Sequence, residues 1–291
     1  MICNPLFFML SGKFNLKKNF DKKDAYIKFY KSKFMGIVIP FVVTSILIYI
    51  LSDYKTKTIV DFVKNFINDN IEGTYWFVYS LIGMITISPF LTKMISNMNL
   101  TDKKILFWMS TIIVGIITTL SIVKVKSAFT LTLFGVFYWN LYYIIGAFIE
   151  EIFSTKKSRR IMICIGIIAF IIQFLIERFY ESGYRLYNPS PILTFEAISI
   201  YFIILEFIKI KNNVIRMIIS FIAKHTYSFY LLHAFVIKLV FEYAKFSLNV
   251  NPKINLLYGL ISYIITFIIT LLLAILLDFI LGIPKYVQKT K

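Results

Sequence analysis

The stretch LLYGLISYIITFIITLLLAILLDFILG, Leu256 to Gly282, decides the fold class. A helix needs ~20 predominantly apolar residues to cross ~30 Å of hydrocarbon, and this run has them. No water reaches that layer, so backbone N–H and C=O groups must bond within the segment, which makes the run a helix and not a strand. Working outward, comparable runs lie at 36–52, 75–92, 105–123, 128–149, 161–177, 191–209 and 227–244. The sequence therefore predicts an all-α polytopic transmembrane helical bundle of eight full spans plus a partial N-terminal helix.

Composition supports this reading. Hydrophobic residues make up 58% of the 291, and the mean hydropathy is +0.76, more apolar than a soluble core requires. No internal repeat or low-complexity linker interrupts the chain, so 1–291 reads as a single integral-membrane domain. Cys3 and Cys164 lie far apart in apolar runs without metal spacing, as small core or lipid-facing residues do. No metal is expected.

The net charge of +17 would suit nucleic acid if it formed one basic face. Instead the lysines punctuate apolar helices, so no nucleic-acid partner is expected and the bilayer itself is the surrounding partner. Sorting the basic residues by alternate connections puts 22 of 32 in one set. That set holds Lys13 to Lys33, Lys93 to Lys104, Lys156 to Arg160, Lys209 to Lys224, and Lys285 to Lys291. The positive-inside bias makes it cytoplasmic, with the C-terminus inside. Met1–Leu10 is then the tail of a helix running inward, too short to span by itself, and no secretory leader is recognisable. An upstream partner helix is expected to complete the pattern.

Polar residues within apolar runs mark candidate sites, because they are expensive in hydrocarbon and face protein or water. The first is Thr226–Tyr227–Ser228–Phe229–Tyr230–Leu231–Leu232–His233. Tyr230 and His233, three apart, share a helix face. His233 falls ~9 Å below the inner boundary, which suits packing or a donor-side pocket better than a base for a substrate arriving from outside. Trp76 is set at the outer start of its helix, where aromatic belts form. Glu196 and Asn140 lie inside the 191–209 and 128–149 runs, where polar groups pair across helices or touch substrate. His225 is expected in a solvated cytoplasmic connection. Glu150, Glu151 and the Lys156–Arg160 cluster form a charged inner loop.

Four segments together resemble the membrane-bound acyltransferase-3 family. They are Pro5–Leu6–Phe7–Phe8–Met9–Leu10–Ser11–Gly12, Phe29 to Pro40, Tyr75–Trp76–Phe77 with Pro89 thirteen positions after Trp76, and the Tyr230/His233 segment. The resemblance implies ten helices in the full form. It also implies transfer of an acyl group, usually acetyl from acetyl-CoA, onto extracytoplasmic sugar hydroxyls. The family's catalytic histidine would lie in a first helix that has no counterpart here, so relative to the family the domain reads as truncated at its N-terminus. The catalytic residue is thus left unknown, with His233 and Tyr230 as candidates. The family's arginine pair falls on Lys33 and Gly36. Lys33 and Lys31 are then the expected contacts to acyl-CoA phosphates, as point charges where arginine would offer a fork. Trp76, Glu196 and Asn140 are the substrate-side candidates.

The expected activity is O-acyl transfer from acyl-CoA to a polysaccharide or other cell-envelope glycan. The expected place is the cytoplasmic membrane of a bacterium, whose AT-rich genome the abundance of Lys, Ile, Phe and Asn suggests. Two other readings stand beside it: a transporter or flippase of a lipid-linked sugar, and a folded but inactive remnant. The duplicated halves and broken helices common in transporters are not visible.

Overall fold

A computed structural model describes residues 3–52, 58–122, 138–179, 190–247 and 256–282. Every regular element among them is helical: α1 (Cys3–Asn15), α2 (Lys23–Lys33), a π turn (Phe34–Val38), α3 (Ile39–Leu51), α4 (Ile59–Ile67), α5 (Trp76–Ser96), α6 (Leu100–Ile122), α7 (Tyr138–Ile152), α8 (Lys156–Phe179), α9 (Pro191–Phe207), α10 (Asn213–Lys224), α11 (Thr226–Ser247) and α12 (Leu256–Ile280). The helical class is as expected. Among the described residues, five of the eight expected spans are helices long and apolar enough to cross a membrane, at Lys23–Leu51, Trp76–Ser96, Leu100–Leu120, Lys156–Ile176 and Leu256–Ile280. The other three expected spans fall outside this set for separate reasons. Residues 128–137 lie outside the described part, α9 has only 17 residues, and α11 carries His233, Lys238 and Glu242 in its apolar run.

The chain forms two compact units, one of Met1–Tyr26 with Gly83–Lys209 and one of Ile27–Ile82 with Ile210–Lys291. In the first, α1 packs on α7 at two glycines. A Cβ on Gly12 would fall 1.7 Å from the Tyr143 carbonyl oxygen, and one on Gly146 would fall 2.0 Å from that of Met9. Without a hydrophobic drive between helices in lipid, such close approach supplies the packing, and here it buries Phe8, Met9, Tyr143 and Phe148. Gly166 does the same for α8 against Ser199 on α9. Away from that contact Ile167, Ile168, Phe170, Ile171 and Phe174 of α8 are exposed, as lipid-facing residues must be. Cys164 is exposed as well.

One end of this unit carries the charged connections. Lys13 Nζ lies 2.5 Å from Glu150 Oε1, Lys103 Nζ 2.7 Å from Glu151 Oε2, and Arg159 2.7 Å from Glu206. Lys93 sits over the Tyr26 ring at 5.6 Å. These bonds gather at one end the connections that the charge pattern sorts to one side. Tyr201 donates to Glu150 and accepts from Lys13 at 2.9 Å. Burial opposes the charge on Lys13, but Glu150 and Tyr201 outweigh it and hold the ammonium pKa above its ordinary value. Burial likewise opposes ionisation of Glu150, and Lys13 and Tyr201 outweigh that, holding the carboxyl below its usual range.

In the second unit, α2, the π turn and α3 form one continuous helix, Lys23–Leu51. Pro40 explains the π turn: proline cannot donate to the carbonyl four residues back, and its ring would press on it. The wider turn absorbs both, with Ile39 N–H donating to Phe34 O. The next helix, α4, folds back along α3, its Phe62 meeting Tyr49 at 5.4 Å and its Phe66 meeting Phe41 at 5.1 Å. α12 turns a stripe of mostly small or polar residues inward (Gly259, Ser262, Thr266, Thr270, Ala274) and packs on α11.

Candidate functional site

The tyrosine-rich start of α11 is the hub of the second unit, because successive residues turn ~100° and its hydroxyls reach different neighbours. Tyr227 donates to Ile37 O in the π turn at 2.9 Å. Ser228 donates to Asp278 on α12. Tyr230 donates to Thr74 O at 2.6 Å, and in return Tyr75 donates to Leu231 O at 3.0 Å. The Tyr230 ring also meets Phe77 at 5.1 Å.

These reciprocal bonds settle a depth that the sequence reading divided. Trp76 was expected at the outer interface and His233 near the inner one. Instead, the start of α5 is level with Tyr230 and Leu231. Tyr75 also meets Phe41 at 5.1 Å, ten residues or ~15 Å before α3 ends at Leu51. The segment from Asn68 to Trp76 therefore dips alongside α3. Irregular backbone at such depth is tolerated only where it is buried in protein or lines a cavity. Here two tyrosine hydroxyls hold it.

His233 stacks near-parallel to Phe229 with centroids 6.4 Å apart and meets Tyr230 at 5.3 Å. Its Nδ1 lies 2.5 Å from Tyr230 O. A carbonyl only accepts, so this bond puts the hydrogen on Nδ1 and leaves the Nε2 lone pair free on the neutral ring. Glu72, a residue that the sequence reading passed over, lies in the dipping segment within electrostatic reach of His233 and Lys238. Burial raises its carboxyl pKa, against a smaller lowering by the Gly73 backbone. Its signal in the sequence was only its place four residues before Trp76, and the pairing across the fold was invisible there.

The remaining candidates divide between the units. Lys33 Nζ sits over the Phe29 ring at 5.6 Å, just before the π turn, and Lys31 is exposed on the same helix. Trp76 is half-buried and meets Phe77 edge-on at 6.2 Å. Glu196 and Asn140 belong to the first unit, where Glu196 is buried on α9 and Asn140 is half-buried on α7. Near them Tyr142 and Thr194 share a hydrogen bond of 3.0 Å.

The expectation for His225 is overturned. It is 7% exposed, with Nδ1 2.5 Å from Asp278 Oδ2, while Ser228 bonds the other oxygen of a carboxylate that is itself 2% exposed. A connection between spans looks solvated in sequence, but a carboxylate inside α12 needs donors and takes them from the first residues of α11 and the turn before it. This cluster is an interhelical lock with Asp278 at its centre.

A family model described as an acyltransferase domain, that of acyltransferase family 3, matches residues 1–278. No curated protein and no solved structure matches the chain.

Proposed function

This chain belongs to the acyltransferase-3 family, and from that premise we propose that it is a membrane O-acyltransferase. It moves an acyl group, acetyl foremost, from acyl-CoA to hydroxyls of an extracytoplasmic polysaccharide or other cell-envelope glycan. Its place is a bacterial cytoplasmic membrane, with the C-terminus inside. The observation that carries this reading beyond the family is the meeting of a segment expected outside, Asn68 to Trp76, with Tyr230 and Leu231 on α11, one turn from His233. An acceptor arriving along that segment reaches an imidazole whose Nε2 is free to accept a proton.

The chemistry is a single displacement. His233 Nε2 takes the proton of the sugar hydroxyl as the oxygen attacks the thioester carbonyl. The C–S bond then breaks, and the CoA thiolate leaves and recovers the proton from the imidazolium. General-base assistance of this kind is worth ~10²–10⁴ in rate. Glu72 offsets the imidazolium charge, and Trp76 offers a ring face to the acceptor. Lys33 and Lys31, just before the π turn, serve the donor phosphates.

The test uses the full chain in proteoliposomes with radiolabelled acetyl-CoA and cell-envelope glycan, reading free CoA thiol and label on the glycan. The expected result is transfer that falls ~10²–10⁴-fold in His233→Ala, with unchanged thermal unfolding, and a raised KM for donor in Lys33→Glu. Full activity in His233→Ala would remove the base assignment. Passage of a labelled lipid-linked sugar across the vesicle with no CoA released would replace the acyltransferase with a flippase.

A further inference from the structure

The helix α10 takes no part in the site described above. It is a well-formed helix: the Asn212 side chain caps it, accepting from Val214 N–H at 2.8 Å and Ile215 N–H at 3.3 Å. At ~100° per residue its sequence NVIRMIISFIAK separates cleanly. Val214, Ile215, Met217, Ile218, Ile219 and Phe221 share one broad face, while Asn213, Arg216, Ser220 and Lys224 share the other. None of its residues is buried, and those six apolar side chains are 47–66% exposed. Phe221 meets His225 at 5.1 Å, and His225 is held by Asp278, so the C-terminal end of α10 is anchored at the start of α11.

The charge around this helix has one sign. No acidic residue occurs from Phe207 to Phe241, and Lys211, Arg216 and Lys224 are all exposed. An apolar stripe of this breadth beneath a basic face is what a helix lying in a membrane interface needs. We infer that α10 lies in the plane of the membrane, with its apolar face among the acyl chains and Lys211, Arg216 and Lys224 against the headgroups of anionic lipids.

Two comparisons within the chain favour lipid over a second copy of the protein. A twin seated on the apolar face would leave Lys211, Arg216 and Lys224 with no acid to meet them, whereas anionic headgroups meet them. The other short amphipathic helix, α4, is built differently: its Phe62 and Phe66 stack on Tyr49 and Phe41, and Asp61 balances Lys64. α4 also leaves Ile59, Val60, Val63 and Ile67 exposed, but it carries no uncompensated charge, and anionic-lipid selection therefore belongs to α10.

The experiment places spin labels on the full chain, in a Cys3→Ser/Cys164→Ser background, at Ile218→Cys on the apolar face and Ser220→Cys on the polar face. Collision with oxygen and with a water-soluble nickel complex is measured in vesicles of phosphatidylcholine with and without phosphatidylglycerol. The expected result is that oxygen dominates at 218 and nickel at 220. A 218 label shielded from both reagents means that protein covers the face, and a 218 label open to nickel means that it sits in water; either overturns the proposal. The phosphatidylglycerol-to-phosphatidylcholine ratio retained after detergent extraction tests the charge. It should fall by at least ~10-fold in Lys211→Gln/Arg216→Gln/Lys224→Gln, since each basic residue near an anionic surface is worth ~1 kcal/mol. An unchanged ratio overturns the anionic-lipid assignment.

Discussion

Gly12→Ala tests the packing of the first unit most directly. The added Cβ falls 1.7 Å from the Tyr143 carbonyl oxygen and 2.7 Å from its carbon, against at least 3.4 Å for an ordinary contact. Because the obstacle is backbone, no side chain can swing away, and α1 must part from α7 by ~1.7 Å or tilt. A gap of only 0.5–1 Å already forfeits a quarter to a half of each dispersion contact along the seam. That seam holds Phe8, Met9, Tyr143 and Phe148, all fully buried. The loss should reach the upper end of overpacking, ~3 kcal/mol, which at ~2 °C per kcal/mol lowers Tm by ~6 °C. The assay is thermal unfolding of the purified protein in detergent, followed by tryptophan fluorescence. Gly83→Ala is the control: nothing lies within 4 Å of a Cβ there, so alanine should be neutral or gain up to ~1 kcal/mol of helix propensity. If Gly12→Ala unfolds with Gly83→Ala rather than well below it, the close α1–α7 crossing is wrong.

Two further changes probe the second unit. Asp278→Ala strands His225 and Ser228, both buried, and should lower stability by ~3 kcal/mol, whereas Asp278→Asn keeps an acceptor and should be milder; equal unfolding temperatures for the two would refute the lock. Burial holds the Glu72 pKa above its ordinary value of 4.5, so the folded state prefers the neutral acid and stability falls as pH rises from that value through the raised one. Glu72→Gln should flatten this decline in unfolding temperature against pH, and an identical slope in both proteins would show that Glu72 is not buried in this way.

Much of the helical class was legible because apolar run length reports directly on the cost of leaving backbone groups unbonded in hydrocarbon. The Lys13–Glu150, Lys103–Glu151 and Arg159–Glu206 pairs, by contrast, join charges from separate connections that no local pattern matches to one another. Span boundaries were less legible. α9 has only 17 residues and α11 spends polar side chains on its neighbours, so length and hydropathy alone mark their ends poorly.

The sequence by itself determined a helical, membrane-embedded chain with its family motifs in order, since each of those is a local property of composition and spacing. Only the tertiary structure decided that Tyr75 and Tyr230 exchange hydroxyl bonds with each other's backbone neighbours, that Glu72 comes within electrostatic reach of His233, and that His225 is buried on Asp278. Those pairings join residues 53 to 161 positions apart. Nothing local in the chain specifies a partner for a polar group; the need to satisfy it in a medium without water does, and that need acts only once the helices are packed.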